Sequence, residues 1–152
     1  LKKYEVSNYA FKNSECVHNY NIWQGSEYCG IGPGAHGRIM INGKWYASHK
    51  FSAPKIWLEK NLQQKCALYL NKEISNIERV QEILLTSLRL TKGIDIKKAF
   101  NKLNINSKNN IIDKNELRKF KKLNLIEENN SFLKITRKGF PILNYITNRL
   151  IL

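Results

Sequence analysis

Two of the three histidines lie in early segments of the chain whose composition suggests ligand binding. One of them, His36, lies within GIGPGAHG, where glycine and proline are too dense for a regular helix or strand. Glycine allows a backbone to approach a bound group closely, so this loop is predicted to line a ligand site. The predicted contacts are Gly30, Gly32, Gly34, Ala35 and His36. The alternative is a turn histidine with a structural role only.

The other early histidine, His18, is followed by aromatic residues in the run HNYNIW. Imidazole is a common ligand of iron, and aromatic faces pack well against a porphyrin. His18 is therefore a candidate ligand of a metal ion or of haem iron, and Asn19, Tyr20 and Trp23 would be the other members of such a site. From these residues alone a structural histidine is the favoured interpretation, because a motif this short is weak by itself.

The elements that must position these residues are mainly strands and loops in the first 53 residues. A short strand is predicted over residues 4–6. Residues 38–41 and 44–47 are β-type runs separated by Asn42-Gly43, which predicts a hairpin with a type I′ turn. Pro54 then opens a helix predicted to extend over residues 54–70, because apolar residues up to Tyr69 and Leu70 recur at helical spacing. Residues 71–76 form a polar break.

The second half of the sequence predicts three helices, a hairpin and a closing helix. Ser75 with Glu78, Asp95 and Asp113 are predicted caps of the three helices, and Thr136 of the last one. The hairpin turns at Asn129-Asn130, and Gly93 is placed to stop the first helix. This order is that of a winged-helix module. The apolar residues predicted to be buried are Ile77, Val80, Leu84, Leu88, Ile96, Phe100, Leu103, Leu117, Phe120, Leu123, Phe140, Leu143, Ile146 and Leu150.

The formal net charge is +14, with 26 Lys and Arg against 12 Asp and Glu. Such a balance suggests a nucleic-acid partner. The favoured explanation is compositional bias, since lysine is enriched together with asparagine and isoleucine. The third helix of the second half is the most basic element, and its charges are predicted to form a solvated face. Its basic residues are Lys114, Arg118, Lys119, Lys121 and Lys122.

Cysteine usage and hydropathy predict a cytoplasmic protein. Cys16, Cys29 and Cys66 fit no CxxC unit, and their odd number does not favour disulfides, so they are predicted to be buried apolar residues. No apolar run approaches the roughly 20 residues of a membrane helix, and no signal peptide is visible. No serine or carboxylate pair has the context of a hydrolase site, so no catalytic residue is assigned.

Several blocks of the sequence resemble a known protein family. They are YEVSNYA at residues 4–10, HNxNxW at 18–23, YxGIGPGAHGR at 28–38, ExLxxxLRLxxGI at 82–94 and TxKG at 136–139. Together they resemble the C-terminal half of radical SAM coproporphyrinogen III oxidase-like proteins, and in particular the HemW-type haem chaperone branch. The resemblance covers nearly the whole chain, in order.

The resemblance implies an α+β fold in two parts. Residues 1–72 would be the C-terminal strands and helix of a partial (βα) radical SAM barrel, and residues 75–152 a winged-helix-like domain. In the family the barrel binds a [4Fe–4S] cluster through a CxxxCxxC set, with S-adenosylmethionine on the cluster. The glycine loop lies on the ligand side of that barrel, so His36 is expected to approach S-adenosylmethionine or a tetrapyrrole. The HNxNxW segment is associated with haem binding in the chaperone branch.

The sequence also departs from the family. The cluster cysteines and the glycine-rich S-adenosylmethionine strand are absent, and Ile22 stands where the haem motif usually has tyrosine. Because the chain begins with Leu, it is expected to be the tail of a longer protein whose N-terminal barrel portion is missing. Without three cluster thiolates it is expected to have no radical activity alone.

The leading functional prediction is therefore the C-terminal part of a haem chaperone that binds haem and delivers it to haem-accepting proteins. Basic side chains would pair with the haem propionates. The first alternative is the C-terminal part of an oxygen-independent coproporphyrinogen III oxidase of porphyrin biosynthesis. A basic winged helix that binds nucleic acid is the last alternative.

Overall fold

The structure is a computed structural model of the 152-residue chain, and it describes residues 1–105 and 111–152. The regular elements are β1 Lys2–Lys3, β2 Tyr9–Ala10, α1 Val17–Trp23, β3 His36–Ile41, β4 Lys44–Lys50, α2 Pro54–Gln64, β5 Leu68–Ile74, α3 Asn76–Ser87, β6 Ile94–Asp95, α4 Ile96–Lys102, α5 Lys114–Lys122, β7 Ile126–Asn129, β8 Phe132–Ile135, a 3₁₀ turn Phe140–Ile142 and α6 Leu143–Leu150. The mixture of helices and antiparallel sheets confirms an α and β fold.

These elements form two compact units. The split unit comprises Leu1–Gly25 together with Asn76–Leu152, and the inserted unit comprises Ser26–Ser75. The first 25 residues therefore group with the second half of the chain, whereas the predicted domains placed them with residues up to 72. The assignment of residues 1–72 to a barrel portion and 75–152 to a winged-helix-like domain stays a prediction.

The inserted unit is a three-stranded antiparallel sheet in the order β3-β4-β5. Its first hairpin is the predicted one, and the type I′ turn is confirmed because Asn42 and Gly43 have φ values of 50° and 77°. The expected helix over residues 54–70 is too long. It ends at Gln64, directly before the left-handed Lys65, and Tyr69 and Leu70 lie in β5, which pairs with β4.

The error at α2 and β5 has a physical cause. None of the residues of α2 is buried, so its apolar spacing does not mark a packed helical face. Residues 68–74 instead gain a full ladder of hydrogen bonds along β4, with a register shift at His49 and Lys50. The predicted polar break over residues 71–76 is accordingly the second half of a strand and the start of α3.

The split unit packs its helices against a sheet in the order β6-β8-β7. Two predicted caps are confirmed, since Asp95 accepts from the Lys98 N–H at 3.1 Å and Asp113 from the Glu116 N–H at 3.0 Å. The second predicted hairpin is also present as β7 and β8. The buried apolar core of the split unit includes Tyr4, Ala10, Val80, Ile83, Leu84, Leu88, Leu90, Ile94, Ile96, Phe100, Leu103, Ile111, Ile112, Leu117, Phe120, Leu125, Ile126, Leu133, Ile135, Leu143, Ile146 and Leu150.

Several predicted core positions are wrong. Ile77 and Leu123 are 46% and 47% exposed, because each lies at an end of its helix, beyond the packed face. Phe140 is half-buried and belongs to the 3₁₀ turn that precedes α6. The predicted cap at Thr136 is wrong, since Gly139 precedes this turn without a side-chain cap, and the Thr136 Oγ1 accepts instead from the Gly139 N–H at 3.1 Å.

Gly93 has a different role from the predicted helix stop. The helix α3 ends at Ser87, well before it. Gly93 has a φ of 74°, and a Cβ there would overlap the carbonyl oxygen of Leu133. Glycine is thus required at this position because the turn into β6 approaches the backbone of β8 closely.

The start of the chain is attached to the end of α3. The predicted strand over residues 4–6 is wrong, since β1 and β2 flank this segment. Glu5 instead forms an isolated antiparallel bridge with Leu90, and the Tyr4 carbonyl accepts from the Thr91 N–H at 3.0 Å. The reason is that residues 4–8 connect β1 to β2 in a turn, which the Tyr4 N–H closes by donating to the Asn8 carbonyl at 3.2 Å.

The cysteine prediction is also wrong. Cys16, Cys29 and Cys66 are all exposed free thiols, because each lies in a short loop or at a helix boundary and not in a packed element. Across residues 1–105 and 111–152, no helix has the length and apolar character that crossing a membrane requires.

Candidate functional site

The predicted haem residues lie together on α1, in the split unit. This helix was not predicted, because it has only 7 residues, no side-chain cap and no acidic residue in its first turn. It ends at Trp23, followed by the C-cap Gln24 and by Gly25, which has a φ of 75°. A Cβ on Gly25 would overlap the side chain of Ile83, so glycine lets the end of α1 lie against α3.

Polar contacts fix the C-terminal end of α1 to α3. The Trp23 carbonyl accepts from the Ser87 hydroxyl at 2.6 Å and from the Thr86 hydroxyl at 3.3 Å. The Gly25 carbonyl accepts from the guanidinium of Arg79 at 2.9 Å, and Arg79 is 3% exposed. These bonds satisfy carbonyls that a helix end leaves without intrahelical partners, so α1 is anchored although none of its residues is fully buried.

His18 is exposed on α1, and its Nδ1 lies 3.4 Å from the Oδ1 of Asn19. In the tautomer that donates from Nδ1 to Asn19, Nε2 carries the lone pair that a metal ion requires. A hydrogen bond from the other ring nitrogen is also the usual way in which a ligating imidazole is oriented. His18, oriented by Asn19, is therefore suited to bind an iron atom through Nε2 on the solvent-exposed side of α1.

The two aromatic residues of α1 each lie under a cation. The Lys92 Nζ is 5.6 Å from the centre of the Tyr20 ring, and the Arg89 Cζ is 4.9 Å from the Trp23 ring. Both distances are within the range of cation–π attraction. Sequence reasoning missed Arg89 and Lys92 as neighbours of α1, because nothing local connects residues so far apart in the chain.

The glycine loop lies in the inserted unit and is closed by backbone hydrogen bonds. Tyr28 and Arg38 exchange two bonds of 2.8 Å each, and the Gly34 N–H donates to the Phe51 carbonyl at 2.9 Å. A Cβ on Gly30 would overlap the carbonyl oxygen of His36, and one on Gly37 would lie 2.5 Å from the Ser48 Oγ. These two glycines are thus explained by close packing of the protein on itself.

The remaining glycines of the loop face more open space. Gly32 has a φ of 103°, and a Cβ there would meet no atom within 4 Å. Gly34 has a φ of 71°, and the atoms nearest to a Cβ there belong to Ser52, the first at 3.5 Å. Both need glycine for their backbone conformation. The predicted contact of Gly30, Gly32, Gly34, Ala35 and His36 with a cofactor stays a prediction.

His36 begins β3, and its ring stacks on a residue that was not among the predicted site residues. The imidazole rings of His36 and His49 are 4.1 Å apart between centroids and 9° from parallel, and His49 meets Tyr69 edge to face at 5.8 Å. His49 was missed because no motif contains it. The predicted hairpin contains the signal, however, since equal steps outward from the Asn42-Gly43 turn pair residue 36 with residue 49.

The environment of His36 lowers its pKa below the usual value. The cause is first desolvation and then the nearby positive charges of His49 and Arg38. Because the folded chain binds this proton less readily than the unfolded chain, the His36 contribution to stability is complete above about pH 6.5 and is lost as the pH falls through and below that value.

We therefore expect the imidazole signals of His36 to titrate by NMR with a midpoint below about 6.5, the ordinary histidine value. The His49→Asn variant removes a neighbouring positive charge, so it should move this midpoint upward. The His18→Asn variant is the control, since it lies in the other unit and should leave the midpoint unchanged. If the His49→Asn variant leaves the His36 midpoint unchanged, the stacked pair does not form.

The basic helix α5 is partly neutralised. Lys119 pairs with Glu116 at 3.3 Å and Lys121 with Glu128 at 2.8 Å. Lys114, Arg118 and Lys122 recur every four residues and so share one face of α5. A cavity of about 260 Å³ beside this face is lined by Ile112, Lys114, Leu117, Arg118, Lys121 and Glu128. With acidic side chains among the basic ones, the solvated face remains the favoured prediction over nucleic-acid binding.

The residues present do not fit an iron–sulfur cluster. The three cysteines are exposed and fall in separate segments of the sequence. Within the described ranges, no group of three or more His, Cys, Asp or Glu side chains is placed to hold a metal ion. A haem iron differs, because a single exposed imidazole such as His18 is enough to supply an axial ligand.

A match over the second half of the chain indicates a class of protein. The HemN C-terminal domain family matches residues 74–142. Among solved structures, the coproporphyrinogen III oxidase HemN from Escherichia coli, a radical SAM enzyme, has a similar fold with a TM-score of 0.61. The match has 17% sequence identity and covers 81% of this chain and 28% of that one.

Curated relatives place the chain within this class. The Heme chaperone HemW of Buchnera aphidicola subsp. Acyrthosiphon pisum is 35% identical over 118 residues, which are 75% of this chain and 29% of that protein. The mitochondrial Radical S-adenosyl methionine domain-containing protein 1 of Danio rerio is 31% identical over 96 residues, 60% of this chain and 22% of that protein. The chain thus spans less than a third of these relatives. It belongs to the HemN/HemW-like radical SAM family and corresponds to the C-terminal part of those proteins.

Proposed function

We propose that this chain is the haem-binding C-terminal part of a HemW-like haem chaperone. The observation that carries the proposal is the exposed His18 on α1, with its Nδ1 beside Asn19 and its helix anchored to α3. His18 binds the haem iron, and Tyr20 and Trp23 flank the porphyrin. Haem is the cargo of this site, which passes it on to haem-accepting proteins.

The proposal extends to the parts that the longer relatives contain. The glycine loop from Gly30 to His36 lines the side of a radical SAM barrel, next to S-adenosylmethionine or the tetrapyrrole. Residues 75–152 form a winged-helix-like domain. The cluster and its cysteines belong to a preceding barrel portion, so no radical step is assigned to the residues of this chain.

The test is a titration with haemin followed at the Soret band. In the His18→Ala variant, we expect haemin binding at least about tenfold weaker than in the wild type and a shifted Soret band, because the iron loses its axial imidazole. The matched control is His49→Ala, which removes a histidine outside the segment. Equal binding by the wild type and the His18→Ala variant would refute the ligand assignment.

The alternative function, an oxidase, differs from the chaperone in its ligand, because the oxidase substrate contains no iron. The solved structure with a similar fold is a coproporphyrinogen III oxidase, whose porphyrinogen substrate contains no iron. A parallel titration with iron-free protoporphyrin therefore separates the two functions. A chaperone site loses affinity for haemin but not for the iron-free porphyrin when His18 is removed. A site for an iron-free substrate keeps its affinity for both haemin and protoporphyrin when His18 is removed.

A further inference from the structure

Two cations cover the two aromatic rings of α1, and their electrostatic situations differ. Arg89 lies over Trp23 and Lys92 over Tyr20. Both follow α3, and both are close to the segment that carries His18. The comparison of their partners shows which of the two positive charges is free to meet a ligand.

The charge of Arg89 is already compensated. Its guanidinium lies 3.9 Å from the Oε2 of Glu5, whose side chain is 1% exposed. The other oxygen of this carboxylate accepts from the Ser7 N–H at 2.8 Å. A buried carboxylate needs a nearby cation, because an isolated charge in the protein interior is costly. Arg89 is therefore a positioning residue that holds Trp23 in place.

The charge of Lys92 has no such compensation. Lys92 is exposed, and within the part of the chain that the structure describes no carboxylate pairs with it. Its backbone is nevertheless fixed. The preceding Thr91 N–H donates to the Tyr4 carbonyl at 3.0 Å, and the following Gly93 N–H donates to the Leu90 carbonyl at 2.9 Å. The Lys92 side chain thus extends from a fixed backbone position, and its ammonium group lies near the Tyr20 ring without a carboxylate partner among the described residues.

We propose that Lys92 binds a carboxylate of the planar ligand that α1 receives, and so makes the site selective for carboxylate-bearing porphyrins. This inference rests on the proposed haem-binding function. An ammonium–carboxylate contact is a charge-assisted hydrogen bond, which is stronger than a neutral one. Lysine suits this role because its long flexible side chain brings a compact charge to a carboxylate without a fixed geometry.

The experiment compares haemin with haemin dimethyl ester, which keeps the iron and the ring but has no carboxylate charge. Both are titrated at one ionic strength and in one detergent. We expect the wild type to bind haemin about tenfold more tightly than the ester, and Lys92→Gln to bind the two with equal affinity. Lys92→Arg should restore most of the preference, because it restores the charge. The control is Lys97→Gln, an exposed lysine of α4 with the same loss of charge, which should leave the preference intact.

The outcomes separate this inference from the function on which it rests. If the wild type binds both porphyrins equally, or if Lys97→Gln removes the preference as fully as Lys92→Gln, the role of Lys92 is refuted while haem binding stands. If the wild type binds neither porphyrin, the proposed function fails, and the inference fails with it. A preference that persists in Lys92→Gln assigns the carboxylate to another cation.

Discussion

Replacing Arg89 with alanine should lower the free energy of unfolding by about 2 kcal/mol, less than the roughly 3–5 kcal/mol typical of a fully buried ion pair because the Arg89 side chain is 30% exposed. The reason is the position of Glu5, which has 0% of its surface exposed and whose Oε2 accepts no hydrogen bond from the described residues. Without the guanidinium, this carboxylate stays buried with no cation beside it. Urea unfolding followed by far-UV circular dichroism measures the change.

Two variants show whether the buried charge is the cause. Lys134→Ala removes a cation from the exposed pair that Lys134 forms with Glu127 at 2.7 Å, and it should cost less than about 1 kcal/mol. Glu5→Gln added to Arg89→Ala should recover part of the loss, because it removes the uncompensated charge. An Arg89→Ala variant no less stable than Lys134→Ala would mean that Glu5 is not buried as described.

Replacing Gly93 with alanine is the second change with a large expected effect, a loss of roughly 3–4 kcal/mol in the free energy of unfolding. The φ of 74° strains any residue with a Cβ, and the added methyl overlaps the carbonyl oxygen of Leu133. Relief of this overlap requires β6 to move away from β8, which breaks their short ladder. Urea unfolding of the full chain gives the magnitude.

The matched control for Gly93 is Gly43, which separates backbone strain from overlap. Gly43 has a nearly identical φ of 77°, but a Cβ there meets no atom within 4 Å. Gly43→Ala should therefore cost only the left-handed strain of about 1–2 kcal/mol. If the two variants lose the same stability, then the close approach of Gly93 to β8 contributes nothing.

The parts of the fold that follow from local chemistry were predictable from the sequence. The type I′ turn at Asn42-Gly43 and the aspartate cap of α5 each depend on adjacent residues, and the structure confirms both. The boundary between α2 and β5 was not predictable, because the strand forms only when residues 68–74 find β4. Tertiary pairing there prevails over an apolar spacing that resembles a helix.

The candidate site shows the same division. His18 and His36 stand out in the sequence because of their neighbours in the chain. Glu5 and Arg89 do not, since a carboxylate and a guanidinium 84 positions apart become a pair only through the packing of the start of the chain on the end of α3. The stacking of His36 on His49 was predictable in part. The hairpin register places the two residues opposite one another, but it does not fix the orientation of their rings.

The split unit, whose two segments are separated by Ser26–Ser75, has a consequence for the order of folding during synthesis. A ribosome makes the chain from its N-terminus, so the inserted unit is complete before α3 exists. Residues 1–25 leave the ribosome early, yet the Leu90 and Thr91 backbone groups that bind Tyr4 and Glu5 arrive much later. The segment bearing His18 therefore stays unattached until the nascent chain has passed α3, because Arg79, Thr86 and Ser87 bind the carbonyls at the end of α1.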